Sequence, residues 1–100
     1  YMYSLGTVIV NPAGTEGRRF MKVGVSIELK SKSLIKKVEE LKPKLLHHLI
    51  MILSSKDVES VASLGGKFAL QEEIKKVFTL ELGVAMDDLS EIYFSEFIIQ

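Results

Sequence analysis

MKVGVSIELK, residues 21–30, is the stretch that decides the fold. Large apolar side chains occupy every second position, and lysine, glycine, serine and glutamate occupy the positions between them. A period of two places successive side chains on opposite faces of a β-strand. The segment therefore predicts a strand with one face on a core and the other face in water.

A second strand is predicted just before this one. Leu5–Val10 is apolar and rich in β-branched residues, which favours a strand. Residues 11–17, which follow it, combine the asparagine, proline and glycine that form turns. We expect the two strands to pair as a hairpin.

A long helix is predicted next, and Ser31–Ser33 can cap its start. Apolar side chains then recur at steps of three and four residues, as on one face of a helix: Leu34, Val38, Leu41, Leu45, Leu49 and Ile52. This phase continues unchanged past Pro43, which indicates one helix that is kinked at the proline. The alternative is two helices, with Pro43 in the first turn of the second.

Two further helices should follow the long one. Residues 54–57 end the long helix and start a short one that runs through Val61. Ser63 can cap a third helix from about Leu64 to Leu82, and Gly83 can end it. The side chains of this third helix that we expect to face inward are Leu70, Ile74 and Val77.

The last predicted element is a strand at Ile92–Ile99. Its large apolar side chains point both ways, which is typical of a strand covered on both faces. The order of elements is β-β-α-α-α-β. The predicted fold class is therefore α+β, a small sheet with helices packed on one side.

The charges balance over the whole chain but not along it. Residues 1–56 hold ten of the 13 lysines and arginines and four of the 13 acids, a net charge of +6, and residues 57–100 carry −6. Either the two parts neutralise each other inside one fold, or they form opposite faces that let copies associate head to tail into a ring. Salt sensitivity of self-association distinguishes the two, because salt screens exposed charges.

The length and composition set limits on the class of protein. One hundred residues, 47% of them hydrophobic, suffice for one core, so we expect residues 1–100 to be a single domain. There is no cysteine, which excludes disulfides and zinc–thiolate sites. No stretch has the roughly 18 apolar residues of a membrane-spanning helix. Because the sequence begins at Tyr1, we expect it to be a fragment of a longer protein.

No pattern of reactive side chains predicts catalysis or a metal site. His47 and His48 are adjacent, so on a helix they point about 100° apart and cannot chelate one ion together, and neither has an evident acidic partner. The paired acids are interpreted as solvated surface: Glu39-Glu40, Glu72-Glu73 and Asp87-Asp88. We predict no catalytic residue, no metal ligand and no cofactor.

Two other patterns have ordinary structural explanations. Gly65-Gly66-Lys67 resembles part of a phosphate loop, but no Ser or Thr follows the lysine, and a helix N-terminus explains it better. The lysines within residues 30–44 have no aromatic side chains between them, and the domain as a whole is neutral. We therefore expect a solvated helix face and no binding to nucleic acid.

Several segments carry a resemblance to a known family when taken in order along the chain. They are Arg18–Val23 (RRFMKV), Ile50–Lys56 (IMILSSK), Gly66–Ile74 (GKFALQEEI) and Ile92–Gln100 (IYFSEFIIQ). Together they are similar to the FliL family of bacterial flagellar basal-body-associated proteins, from about Leu5 to Gln100. The last segment is the most specific of the four.

The resemblance implies a bacterial inner-membrane protein with one N-terminal membrane helix, absent from this sequence, and residues 1–100 as its periplasmic domain. It implies a fold similar to the stomatin and prohibitin domain. It also implies homo-oligomeric rings or arcs around the stator proteins MotA and MotB of the flagellar motor, in support of rotation, chemotaxis-linked motility and swarming. The family has no known catalytic residues, so none is assigned here.

The leading functional hypothesis is a scaffold that binds other protein subunits. The alternative is a regulatory domain that binds a small ligand, which requires a concave apolar pocket with a few polar groups. An enzyme is disfavoured by the residues present. The predicted association surfaces are Arg18, Arg19 and Lys22 at the basic hairpin, and Asp87 and Asp88 on the part of opposite charge.

Overall fold

A computed structural model describes residues 1–100 and contains three strands and three helices. The strands are β1 (Met2–Val10), β2 (Met21–Leu29) and β3 (Leu89–Ile99). The helices are α1 (Ser33–Ser54), α2 (Val58–Ala62) and α3 (Leu64–Leu82), and a 3₁₀ turn at Met86–Asp88 leads into β3. The predicted α+β class and order of elements are confirmed.

The three strands form one antiparallel sheet in the order β1-β2-β3. Met21 of β2 pairs with Val10 on one side and Ile99 on the other. At the far end of β2, Leu29 pairs with Leu89. The hairpin prediction is confirmed, and β1 and β3 are both edge strands.

The core lies between the sheet and the helices, which pack on one face of it. The alternating apolar residues of β2 all face this core and are at most 2% exposed: Met21, Val23, Val25, Ile27 and Leu29. Helix α1 contacts β1, and α3 contacts both β3 and α1. The prediction of a strand with one face on the core is therefore confirmed for β2.

Helix α1 is continuous through Pro43, which confirms one helix rather than two. The predicted side-chain cap is wrong. The N-cap residue is Lys32, no side chain caps the helix, and the hydroxyls of Ser31 and Ser33 lie 3.1 Å apart, within hydrogen-bond distance of each other. The backbone of Lys32 is already helical, so its geometry differs from the extended backbone that a side-chain cap uses.

Capping of the other two helices follows the sequence. The Asp57 carboxylate accepts a hydrogen bond from the backbone N–H of Ser60 at 2.8 Å, and the Ser63 hydroxyl accepts one from Gly66 at 3.0 Å. Gly83 ends α3 in the left-handed conformation, with φ of 68°. All three serve as the start and stop signals that the sequence indicated.

The predictions about burial hold in part. On α3, Leu70 and Ile74 are buried and Val77 packs half-buried against the core, as expected, but Phe78, which was not predicted, is fully buried. Strand β3 is not covered on both faces, since Tyr93 is 42% exposed and Ile98 is 38% exposed. The helices cover only one face of the sheet, so the second apolar face of β3 meets solvent.

No helix of the structure is both long enough and apolar enough to cross a lipid bilayer.

Candidate protein-interaction site

The predicted basic surface lies in the loop between β1 and β2. Arg18 is exposed, and its guanidinium donates to the Glu16 carboxylate at 3.1 Å. The carbonyl of Arg19 accepts a hydrogen bond from the side-chain amide of Asn11 at 2.8 Å, which closes the loop. The loop is also held to the end of α1, because Ala13 N–H donates to the carbonyl of Lys56 at 2.9 Å.

Lys22 lies on the solvent face of the sheet, near the same end. Its ammonium is 3.7 Å from the Glu96 carboxylate of β3. Across the strands, Lys22 pairs with Ile9 on one side and Ile98 on the other, and both isoleucines are exposed. The lysine therefore stands between two apolar side chains on an uncovered surface.

The predicted acidic surface lies in the 3₁₀ turn before β3. The Asp88 carboxylate accepts a hydrogen bond at 3.0 Å from the backbone N–H of Ala85, three residues earlier. The Asp88 carbonyl accepts one from Lys30 N–H at 3.0 Å, which ties the turn to the end of β2. Asp87 is exposed. One carboxylate of the pair is thus engaged in the turn and the other is available to solvent.

The structure separates these basic and acidic residues rather than bringing them together. Arg18 and Arg19 precede the start of β2, whereas Asp88 contacts its end. The nine residues of β2 span roughly 26–30 Å at the usual rise of a strand. Their role in association between copies stays a prediction, and the two groups lie at opposite ends of the sheet.

Ion pairs connect the positively and negatively charged parts of the chain. Lys22–Glu96 and Lys56–Glu73 join residues 1–56 to residues 57–100, and the contact of His48 with Glu81 joins the same two parts through a hydrogen bond. At the two lysine–glutamate pairs the parts neutralise each other inside one fold, which is the first of the two interpretations of the charge asymmetry.

His48 has an acidic partner that the sequence did not reveal. Its Nε2 lies 2.8 Å from Oε1 of Glu81, a contact between α1 and α3 across 33 residues of sequence. The only ring near it is that of His47, at 5.5 Å between centroids. No serine hydroxyl bonds to either histidine, and no group of three or more potential metal ligands converges. The pair therefore links two helices and lacks the nucleophile of a catalytic triad.

Gly66 and Lys67 hold the corner between α2 and α3. A Cβ atom on Gly66 would lie 1.9 Å from the carbonyl oxygen of Ser60, so only glycine fits against α2. The Lys67 ammonium donates to the carbonyls of Val61 at 3.0 Å and Ala62 at 2.8 Å. These contacts satisfy the end of α2, and they confirm that Gly-Gly-Lys is a helix N-terminus.

One open cleft of about 600 Å³ lies between the β1–β2 loop and α2. Its lining residues are Ala13, Gly14, Thr15, Arg18, Arg19, Asp57, Val58 and Glu59, of which two are hydrophobic. A small-molecule site is usually enclosed and mostly apolar. This cleft is polar and contains charges of both signs.

A hydrogen bond on the solvent face of the sheet perturbs one tyrosine. The Tyr93 hydroxyl donates to the Glu28 carboxylate at 3.0 Å. This bond to Glu28 raises the pKa of Tyr93 above its ordinary value, with smaller contributions from desolvation and from the charges of Glu28 and Glu91. The shift reports a specific contact on the uncovered face.

Sequence reasoning missed a stripe of side chains on α3, which we call the α3 stripe: Leu64, Phe68, Gln71 and Lys75. Their spacing of four, three and four residues places them on one side of the helix. Leu64 is 69% exposed and Phe68 is 58% exposed. Gln71 donates to the carbonyl of Ile92, and Lys75 donates to that of Ser90 at 3.2 Å. The spacing was visible in the sequence, but the exposure was not.

Comparison with known proteins assigns this chain to a family. The sequence profile described as flagellar basal body-associated protein FliL matches residues 2–100. The chain belongs to the FliL family. This membership confirms the family that the four sequence segments resembled, and it connects the chain with the flagellar basal body.

Individual FliL proteins are similar to the chain along almost its whole length. The flagellar protein FliL of Aquifex aeolicus is 27% identical over 101 residues, which cover 99% of this chain and 61% of that protein. The flagellar protein FliL of Escherichia coli K12 is 26% identical over 100 residues, with 98% and 64% covered. This FliL-family chain thus spans about three-fifths of the length of the relatives that it matches.

Proposed function

We propose that this FliL-family domain is a non-enzymatic scaffold of the bacterial flagellar motor. It self-associates into a ring or arc and binds the stator proteins MotA and MotB. By stabilising the stator units it supports flagellar rotation, chemotaxis-linked motility and swarming. The observation that carries the proposal is the match of residues 2–100 to a flagellar basal-body-associated family.

Features of the surface support a role in binding proteins. Large apolar side chains are exposed on the uncovered sheet face and on the helices, among them Ile9 at 64%, Phe68 at 58% and Leu64 at 69%. Both edges of the sheet lack a further strand. Apolar patches and open edges are surfaces through which protein subunits associate.

The proposal includes a location and a structural relationship. We place residues 1–100 in the periplasm as a single domain that a separate N-terminal helix anchors in the inner membrane. Within this proposal the fold resembles the stomatin and prohibitin domain. Superposition on such a domain tests the relationship, and a different strand order or a helix layer on the opposite face of the sheet would contradict it.

A binding assay combined with a motility assay tests the function. The purified chain is used to capture the periplasmic part of MotB, and the gene is deleted in the bacterium that encodes the protein. We expect MotB to be retained and swarming to be impaired until the gene is restored. Wild-type swarming of the deletion strain at every load, together with no retention of MotB, would exclude the scaffold.

The alternative function, binding of a small regulatory ligand, depends on the cleft beside α2. Its lining includes Arg18, Arg19, Asp57 and Glu59, so it suits a charged ligand better than an apolar one. A thermal-shift screen with charged metabolites tests this alternative. A specific, saturable shift that is lost in an Arg19→Ala variant would favour it over the scaffold.

A further inference from the structure

The free edge of β3 is covered along only part of its length. In the first half, Gln71 and Lys75 of the α3 stripe bond to the outward carbonyls of Ile92 and Ser90. No side chain of the molecule bonds to the backbone of Phe97 or Ile99 in the second half. The α3 stripe thus supplies hydrogen-bond donors to the carbonyls in one half of this edge and leaves the other half open.

The backbone groups of that open half point away from the sheet. Gln100 and Phe20 exchange two hydrogen bonds of 2.9 Å, so they form a hydrogen-bonded pair. Opposite residues in an antiparallel ladder alternate between bonded and non-bonded pairs. Ile99 and Phe97, opposite Met21 and Val23, are therefore non-bonded and direct their N–H and C=O groups to the free edge.

The apolar half of the α3 stripe lies alongside this open half. The Lys67 ammonium is 4.8 Å from the ring centroid of Phe97, whereas Gln71 and Lys75 reach residues progressively earlier in β3. Helix and strand therefore run in opposite directions. Leu64 and Phe68, at the start of the helix, flank the end of the strand and remain exposed.

The opposite edge of the sheet, β1, has matching properties. Its nine residues, MYSLGTVIV, include no charged side chain, although edge strands usually carry charges that prevent pairing. By the same alternation, the backbone N–H and C=O groups of Lys22 and Gly24 in β2 form hydrogen bonds with β3. Ile9 and Thr7, which lie opposite them, therefore direct their backbone groups to the free edge of β1.

We propose that the open half of β3 and the apolar half of the α3 stripe bind β1 of a second copy of this chain. This inference rests on the proposed self-association and names the surfaces that carry it. β1 has no charged side chain, and the charged side chains nearest the open half of β3 already have partners: Glu96 contacts Lys22, and Lys67 donates to the carbonyls of Val61 and Ala62. Pairing the two surfaces therefore buries no unpaired charge. The contact adds a strand to an existing sheet, a recurring mode of recognition between proteins.

The direction of the strands makes this contact head to tail. β1 and β3 are both antiparallel to β2, so they run in the same direction. A copy displaced sideways places its β1 beside β3 in a parallel arrangement and continues the sheet. Its α1, which contacts β1, then lies beside α3 and covers Leu64 and Phe68. A small rotation at each step closes such a series into a ring.

Cysteine crosslinking tests the pairing directly, because the natural chain has no cysteine. Thr7→Cys labels β1 and Ser95→Cys labels β3, both at exposed positions. The variants are bound by a terminal tag to lipid vesicles, which supplies a high effective concentration. They are then treated with a bismaleimide, singly and mixed. We expect crosslinked dimers in the mixture, severalfold above either variant alone.

Substitutions in the α3 stripe provide a second readout. Phe68→Lys is expected to raise the Kd for self-association, measured by sedimentation equilibrium, about tenfold or more, since burial of a phenylalanine is lost. Leu80→Lys is the matched control, because Leu80 is an exposed apolar residue on the same helix outside the stripe. Its Kd is expected to stay unchanged.

The outcomes separate this inference from the proposed function. Dimers that form within one variant alone as readily as in the mixture, or equal effects of Phe68→Lys and Leu80→Lys, overturn the β1–β3 pairing. If the copies associate and MotB is captured despite such a result, the scaffold function stands without this interface. Absence of any crosslink on the vesicles overturns the pairing, and absence of association in sedimentation as well overturns the self-association.

Discussion

Gly65 and Gly66 are neighbours in the first turn of α3, yet we expect alanine to have opposite effects on stability at the two positions. A Cβ on Gly66 would lie 1.9 Å from the carbonyl oxygen of Ser60, well inside the 3.0 Å that Cβ contacts respect, and Ser60 belongs to the backbone of α2. A Cβ on Gly65 would meet nothing within 4 Å. Comparing the two alanine variants therefore separates the effect of packing α2 against α3 from the general preference of helices for alanine.

The size of each effect follows from three contributions. Forcing an atom into the corner costs about 1–3 kcal/mol, and disturbing the Ser63 cap costs about 1 kcal/mol. Alanine in place of glycine returns up to about 1 kcal/mol through helix propensity. We expect Gly66→Ala to lower the free energy of unfolding by about 2 kcal/mol, and Gly65→Ala to raise it by about 0.5–1 kcal/mol.

Thermal unfolding followed by far-UV circular dichroism measures the difference. For a domain of this size, we expect Tm to fall by about 8–16 °C for Gly66→Ala and to rise by about 2–8 °C for Gly65→Ala. Gly66→Ala as stable as Gly65→Ala would refute the described corner. That result would also remove the structural explanation of Gly-Gly-Lys.

Three further predictions address the core, the loop and the uncovered sheet face. Phe78→Ala is expected to lower the free energy of unfolding, measured in urea, by about 3–5 kcal/mol because Phe78 is fully buried. Val77→Ala is expected to lower it clearly less, because Val77 is half-buried. Equal losses for the two variants would contradict the orientation of α3. Replacing both Arg18 and Arg19 by glutamate is expected to weaken self-association at low salt, whereas replacing the exposed Lys76 by glutamate is not. Unchanged sedimentation of the double variant would count against a role for these arginines. Glu28→Gln is expected to lower the raised pKa of Tyr93, followed by NMR of its ring, and an unchanged titration would show that Glu28 is not the cause. Because the folded pKa is raised, the stability linked to Tyr93 is present below the pKa of the unfolded chain and is lost as the pH rises through the folded value.

Local patterns in the sequence predicted the elements of the fold well. The alternation in β2 predicted which of its residues face the core, and α3 begins after Ser63 and ends at Gly83, as their capping preferences indicated. Such signals depend on a few neighbouring residues and on backbone geometry. The unbroken apolar phase across Pro43 likewise predicted a single helix.

Features that depend on distant parts of the chain could not be predicted in this way. The contact of His48 with Glu81 joins residues 33 positions apart. The exposed second face of β3 depends on which side the helices cover, and adjacent apolar residues do not encode that choice. Full burial of Phe78, beside the half-buried Val77, likewise depends on which side of α3 the rest of the fold covers. The surfaces proposed for association belong to this second group, because exposure is a property of the assembled fold.

The number of stator units at each motor tests the central claim most directly, since a scaffold acts by holding those units in place. Fluorescently labelled MotB can be counted at single motors in the deletion strain and in the same strain with the gene restored. We predict fewer MotB molecules per motor without the gene, and recovery when it returns. Equal numbers in the two strains, at low and at high load, would contradict the account.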